Sequence, residues 1–184
     1  MMRIVAGRFR SRRLKVAPPP GTRPTSDRLR ETLFNILGPR ILESKFVDAY
    51  AGVGAIGIEA LSRGAGEVVF IDRSPKAAEA IRANLDSLGV DAGCRVVTME
   101  VARALKLEAG AFDIVYLDPP YSERESYLRA LETLDGRDLV SSNGIVVAEH
   151  ARREELPAVV GRLERVRVHP QGDSALSFFE QAGE

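Results

Sequence analysis

The sequence predicts an α/β fold: a mainly parallel sheet with helices on both faces, an antiparallel C-terminal strand, and a short basic hairpin ahead of the sheet. Three observations lead there. Apolar runs of strand length alternate with helical patterns from Lys45 onward. Gly, Ser-Pro and Pro-Pro punctuation separates them. The chain has 184 residues, 45% of them hydrophobic, enough for the core of one domain with a small appendage.

The elements follow in order. Met2–Val16 alternates loosely around Gly7 and predicts the basic hairpin; Pro18-Pro19-Pro20-Gly21 marks a linker, so residues 1–20 form an arm and 21–184 the main domain. Pro24-Thr25 opens a helix with Thr25 or Ser26 as N-cap; Leu29, Leu33, Ile36 and Leu37 keep helical spacing until Gly38-Pro39. Lys45–Tyr50 is a strand running into Gly52-Val53-Gly54, and Ala55–Arg63 a helix. Val68–Asp72 is a strand; Ser74-Pro75 starts a helix that ends at Leu88-Gly89. Arg95–Met99, Phe112–Asp118 and Ile145–Glu149 are further strands, with helices over Ala102–Leu107, Tyr127–Leu134 and Glu154–Leu163. Arg165–His169 and Ala175–Glu180 close the chain as a hairpin around Gln171-Gly172-Asp173.

Composition narrows the functional classes. One cysteine, Cys94, excludes a disulfide framework and a Cys-cluster zinc site, and two histidines, His150 and His169, argue against a His-rich metal centre. All three read as structural. No apolar run is long enough for a membrane helix. The N-terminal arginines have no apolar stretch between them, unlike a secretory signal, so a cytoplasmic protein with no membrane association is expected.

The formal net charge is zero, but it is unevenly distributed. Residues 1–30 carry nine basic side chains against one acidic, Asp27; the rest carries 17 basic and 25 acidic. A basic arm on an acidic body favours a polyanionic partner. Arg3, Arg8, Arg10, Arg12, Arg13, Lys15, Arg23 and Arg28 are the candidates for phosphate contact, with surface solvation or pairing to Asp27 or Glu31 as the plain alternative.

Ligands of such sheets bind at the carboxyl ends of the strands. There Gly52-Val53-Gly54-Ala55-Ile56-Gly57 fits G-x-G-x-x-G, and Asp72 follows Gly52 by 20 residues, where a ribose-binding acid belongs. This pattern suits a nicotinamide dinucleotide and S-adenosylmethionine equally. Asp48, four residues before Gly52, favours the second: a carboxylate attracts an amino-acid ammonium and repels a pyrophosphate.

The fourth strand ends in Asp118-Pro119-Pro120-Tyr121. An exocyclic amine of a nucleobase is a poor nucleophile because its lone pair is delocalised into the ring. Asp118 and the Pro119 carbonyl can accept its hydrogens and let the nitrogen pyramidalise. The prolines hold the turn without competing N–H groups. Tyr121 offers a face for the base, worth about 1–3 kcal/mol by stacking. The turn therefore suits methyl transfer to a planar amino nitrogen, with no metal.

At these residues the chain resembles a known family. Asp48-Ala49-Tyr50-Ala51-Gly52-Val53-Gly54 resembles the first cofactor motif of class I methyltransferases, and Asp118-Pro119-Pro120-Tyr121 their amino-methyltransferase motif. Arg23-Pro24-Thr25-Ser26-Asp27-Arg28-Leu29-Arg30-Glu31-Thr32-Leu33-Phe34-Asn35 resembles the stretch before the first strand in bacterial 16S rRNA guanine-N2 methyltransferases of the RsmD type. Met2–Gly7, Glu59–Ala65 and Gly172-Asp173-Ser174 fit as well. The resemblance implies a Rossmann-like class I methyltransferase, a monomer, that methylates N2 of guanine 966 in 16S rRNA within an assembling 30S subunit. S-adenosylmethionine would be the donor and S-adenosylhomocysteine (SAH) the product. It further implies that Asp48, Tyr50, Ala51, Gly52, Gly54, Asp72, Arg73, Glu100, Val101 and Asp118 line the cofactor site, Asp72 on the ribose. Glu100 stands where relatives carry Asp, so either Glu100 or Val101 faces the adenine. Glu149 ends the fifth strand and is either a pocket residue or a surface cap.

Three rival readings remain open, one of them a non-catalytic RNA-binding module, which would explain the basic arm but leave the turn chemistry unused. An adenine-N6 methyltransferase on DNA or RNA would use the same turn. A dinucleotide-dependent oxidoreductase would use the glycine loop but leave Asp48 and the turn unexplained.

Overall fold

The computed structural model describes residues 2–16, 26–120 and 123–183. Its elements are α1 (Asp27–Leu37), a 3-10 turn (Gly38–Ile41), β1 (Lys45–Ala49), α2 (Ala55–Ser62), β2 (Glu67–Asp72), α3 (Pro75–Leu88) and β3 (Cys94–Thr98). They continue as α4 (Val101–Leu107), β4 (Phe112–Leu117), α5 (Arg124–Gly136), β5 (Val140–Ala151), β6 (Val159–Val160), β7 (Leu163–Gln171) and β8 (Ser174–Gln181). The predicted linker, Arg23 and the Pro24-Thr25 helix start lie outside the described residues, as does Tyr121.

Eight strands form one sheet in the order β3-β2-β1-β4-β5-β8-β7-β6. The first five run parallel, and β8, β7 and β6 add antiparallel pairings to that edge. Period-2 alternation splits the core between the two faces. Phe46, Phe70, Ile114, Tyr116 and Val147 face one layer, where α1, α2 and α3 bury Leu33, Ile58 and Ile81. Val47, Val69, Val115, Leu117 and Val146 face the other, against α4 and α5.

Local chemistry explains the helix boundaries. The Ser26 hydroxyl accepts the Leu29 N–H at 3.1 Å and caps α1. Ser74 caps α3, Pro75 occupies its first turn, and Gly89 ends it at φ +71°.

The expected helix over Glu154–Leu163 does not form. Leu156, Val160 and Leu163 are buried, but from extended chain, and Val159–Val160 pairs with Leu163 and Glu164. Pro157 would remove a helical hydrogen bond there. Gly161 at φ +59° makes a two-residue hairpin loop instead. A Cβ at Gly161 would fall 1.9 Å from Asp135 Oδ2, so another residue would have to displace that carboxylate as well as adopt a positive φ.

Residues 2–16 fold back on themselves. Arg3 and Arg13 form one antiparallel bridge, and the Ile4 N–H donates to the Arg12 carbonyl at 2.9 Å. Ile4, Phe9 and Leu14 are buried in the layer that holds α2 and α3. Glu59 on α2 accepts the N–H groups of both Val5 and Ala6, at 2.8 and 2.9 Å. Gly7, at φ +81°, lies so close to α2 that a Cβ would fall 1.9 Å from the Ser62 carbonyl oxygen. That carbonyl accepts the Arg8 N–H at 2.8 Å.

Candidate active site

The C-terminal ends of β2, β1, β4 and β5 lie side by side and bring the predicted residues to one edge. Ala49 pairs with Ile71 on one side and Leu117 on the other, and Leu117 pairs with Ala148. Asp72, the glycine loop, Asp118 and Glu149 thus follow one another across the sheet.

The loop after β1 is a tight left-handed turn. Tyr50, Gly52 and Gly54 have φ of +63°, +56° and +79°. Tyr50 is the costly one, since a side chain in this region strains the backbone. The Ala51 N–H donates to the Ile71 carbonyl at 3.0 Å, and the Gly52 N–H to Asp72 Oδ2 at 2.9 Å. A Cβ at Gly52 would meet nothing within 4 Å, so the loop is open on that side. Gly57 serves packing instead: a Cβ there would lie 2.3 Å from the Phe70 ring.

Asp48 is 2% exposed and accepts the Gly57 N–H at 2.8 Å. Burial drives its carboxyl up to about 8; the Gly57 hydrogen bond opposes the shift and nearby Asp72 adds to it. Burial likewise pushes the half-buried Tyr50 phenol up to about 12, moderated by its hydrogen bond to the Ser126 carbonyl. Asp72 also accepts the Ser74 N–H at 2.8 Å. Glu100 caps α4 by accepting the Ala102 and Arg103 N–H groups at 3.1 and 2.8 Å, and Val101 is buried beside it. Arg73 pairs with Glu123 at 2.7 Å.

At the end of β4, Asp118 is half-buried, Pro119 buried and Pro120 exposed. The Pro120 carbonyl accepts the Glu123 N–H at 2.8 Å and leads the chain into α5. On β5, the candidate Glu149 is held by partners that the sequence did not reveal. Glu149 is 4% exposed. It accepts the Tyr116 hydroxyl on one carboxylate oxygen and the Ser174 hydroxyl, at 3.2 Å, on the other. Its carbonyl takes the Tyr127 hydroxyl at 2.5 Å. Glu149 is therefore not a surface cap. Tyr116 gave no signal because a buried apolar strand hides a hydroxyl as easily as a phenyl ring.

The basic residues divide into two groups. Arg12 donates to the Ser87 and Leu88 carbonyls at 2.6 and 3.2 Å, satisfying the C-terminal end of α3. Arg3 pairs with Asp27 at 3.2 Å, and Arg8 stacks over the Phe9 ring at 4.5 Å. Arg30, wholly buried, donates to Asp27 and to the Arg3 carbonyl. Arg10, Arg13, Lys15 and Arg28 are exposed and make no ion pair among the described residues. Cys94 is half-buried, and His150 is buried between the Ala151 carbonyl and the Ser177 hydroxyl. Among the described residues no helix is long and apolar enough to cross a membrane.

This strand order, with a glycine loop after the first strand and an acidic Pro-Pro turn after the fourth, is the architecture of class I methyltransferases. The family described as Conserved hypothetical protein 95 matches residues 2–180. YlbH of Bacillus subtilis is 38% identical over 187 residues, spanning 99% of this chain and 100% of that protein. Ribosomal RNA small subunit methyltransferase D of Escherichia coli is 32% identical over 180 residues, spanning 98% and 90%. The solved structure of yhhF from Escherichia coli superposes with a TM-score of 0.87 at 31% identity, over 100% of this chain and 99% of that one. A more distant methyltransferase structure complexed with SAH, at 15% identity and a TM-score of 0.65, shares the fold. The chain belongs to the family of the ribosomal RNA small subunit methyltransferase D proteins.

Proposed function

We propose that this protein transfers a methyl group from S-adenosylmethionine to N2 of a guanine in small-subunit rRNA. The observation that carries the reading is the register of β1 with β4. Ala49 and Leu117 are paired, so the glycine loop and the Asp118 turn open beside each other at one edge.

The residues present fit the donor. The turn is bare over Gly52, acidic groups stand at three neighbouring strand ends, and Asp48 is a carboxyl that a cationic neighbour would stabilise in its charged form. Asp48, Tyr50, Ala51, Gly52, Gly54, Asp72, Arg73, Glu100, Val101 and Asp118 would hold it. When bound, S-adenosylmethionine supplies a methyl group on a positively charged sulfur. The relative solved with SAH agrees with this choice.

The chain's own residues position the acceptor. Asp118 and the Pro119 carbonyl each accept one amine hydrogen, which frees the nitrogen lone pair. The amine would give one proton to Asp118 as it takes the methyl group, and the carbon–sulfur electron pair would leave with neutral SAH. Tyr121 stacks on the base, and Pro120 keeps the turn rigid. Most of the acceleration comes from holding two reactants in line. Arg3, Arg8, Arg10, Arg12, Arg13, Lys15, Arg23 and Arg28 face rRNA phosphates, with Arg10, Arg13, Lys15 and Arg28 the most available among those described. The substrate is 16S rRNA in an assembling 30S subunit, and the enzyme acts as a cytoplasmic monomer.

The test is direct. Small subunits lacking the modification are incubated with labelled S-adenosylmethionine, the RNA is digested, and the labelled nucleoside is identified. N2-methylguanosine is expected; N6-methyladenosine would move the chain to the adenine-specific reading.

A further inference from the structure

Asn84, wholly buried on α3, joins the glycine loop to the basic arm. Its amide nitrogen donates to the Val53 carbonyl, in the middle of the loop, at 2.9 Å. The same carboxamide pairs with Val16, at the end of the described part of the arm. Its oxygen accepts the Val16 N–H at 2.8 Å, and its nitrogen donates to the Val16 carbonyl at 3.3 Å. Two carbonyls and one N–H around one carboxamide fix which way that group points. One helical turn earlier, the Ile81 side chain lies 3.1 Å from where a Cβ of Gly54 would stand. The helix α3 therefore backs the glycine loop, while the Gly52 side stays open. Arg12 binds the same helix further on, at the Ser87 and Leu88 carbonyls.

We propose that Asn84 is a positioning residue for the donor loop, and that through it rRNA held by the arm and donor held by the loop strengthen each other's binding. This rests on the function proposed above. The loop needs such support. Tyr50, Gly52 and Gly54 all take positive φ, and a strained backbone persists only where its surroundings fix it. The amide that holds Val53 is itself oriented by Val16. Lys15 and Arg13, both exposed, lie one and three residues before Val16. Phosphates that hold these cations keep Val16 on Asn84, and the amide is then kept on Val53. A loop ordered in advance costs the incoming donor less conformational entropy. The coupling is reciprocal, so donor in the loop tightens the arm's hold on rRNA by the same factor.

The experiment uses the full-length enzyme and measures equilibrium binding of labelled SAH with and without saturating unmodified small subunits. Asn84→Leu keeps the side-chain bulk and removes the hydrogen bonds to Val16 and Val53. Asn84→Ala repeats the removal with a strong helix former and no added apolar bulk. Thermal melting checks that each variant folds. Wild type is expected to bind SAH about fivefold or more tightly when subunits are present. In the folded variants, SAH alone binds about three- to tenfold more weakly, the weight of one hydrogen bond, and subunits no longer tighten it. A merely structural Asn84 would lower the melting temperature and leave the gain from subunits intact.

A folded variant with wild-type SAH affinity, or one that keeps the gain from subunits, overturns the inference. So does wild-type enzyme whose SAH affinity the subunits leave unchanged. Wild-type enzyme that binds no SAH at all brings down the proposed function itself, and this inference with it.

Discussion

The carboxylate of Glu59, wholly buried on α2, accepts the backbone N–H of Val5 at 2.8 Å. The same carboxylate holds Ala6 N–H at 2.9 Å and the Arg63 guanidinium at 2.8 Å. Two backbone donors on this buried anion fasten the basic segment to the body, and the Arg63 pair holds the carboxylate in place. Glu59→Ala leaves them unpaired and should cost about 2–4 kcal/mol of stability. Urea denaturation measures the loss, and limited proteolysis should show earlier cleavage within residues 2–16.

Asp118→Ala removes the proposed acceptor for the amine hydrogens. Methyl transfer should drop below detection while affinity for S-adenosylmethionine stays within a few fold. Single-turnover assays and calorimetry separate the two, and unchanged turnover would refute the assigned role.

Tyr121 is proposed to act through its ring. Tyr121→Ala should raise KM for the subunit far more than Tyr121→Phe, by about 1–3 kcal/mol of lost stacking. Equal losses from both would assign the effect to the hydroxyl.

The exposed cations predict a salt signature. Arg10→Ala, Arg13→Ala and Lys15→Ala should each lower the slope of log affinity against log salt by about 0.7–0.9. Arg12→Ala should in addition lower the melting temperature, because Arg12 holds the carbonyls of Ser87 and Leu88. Filter binding across a salt series, with melts in parallel, distinguishes phosphate contact from docking.

Asp48 gives stability a defined pH dependence. Its folded pKa, about 8, lies above the unfolded value of 3.8. Between those values the folded chain binds the extra proton, so Asp48 makes stability fall as pH rises through that window. Asp48→Asn keeps an acceptor for Gly57 and should flatten the slope, raising the urea midpoint at pH 8 relative to wild type. The same variant should bind S-adenosylmethionine more weakly, through loss of the facing charge.

Much of this structure is legible in the sequence because its punctuation is local. Ser26, Ser74 and Gly89 act on their own helix ends, and strand–helix alternation dictates a parallel sheet. The failure over Glu154–Leu163 has the opposite origin. Leu156, Val160 and Leu163 keep helical spacing, but the decision lies with the partner strand β7 and with Asp135, which fills the space beside Gly161. At the site, the glycine loop and the Asp118 turn were visible as motifs. Glu59, Tyr116 and Ser174 were not, because their meaning depends on partners 53, 33 and 25 residues away. The charge count marked the arm as basic, but could not show that Arg12 and Arg3 make contacts within the protein.

The close approach of Gly7 to the Ser62 carbonyl bears on evolution and on engineering alike. The two chain segments touch without a side chain between them, so neither can change length or register alone. A chimera that imports a foreign N-terminus must import the outer surface of α2 with it, and the pair should be inherited as one exchangeable module.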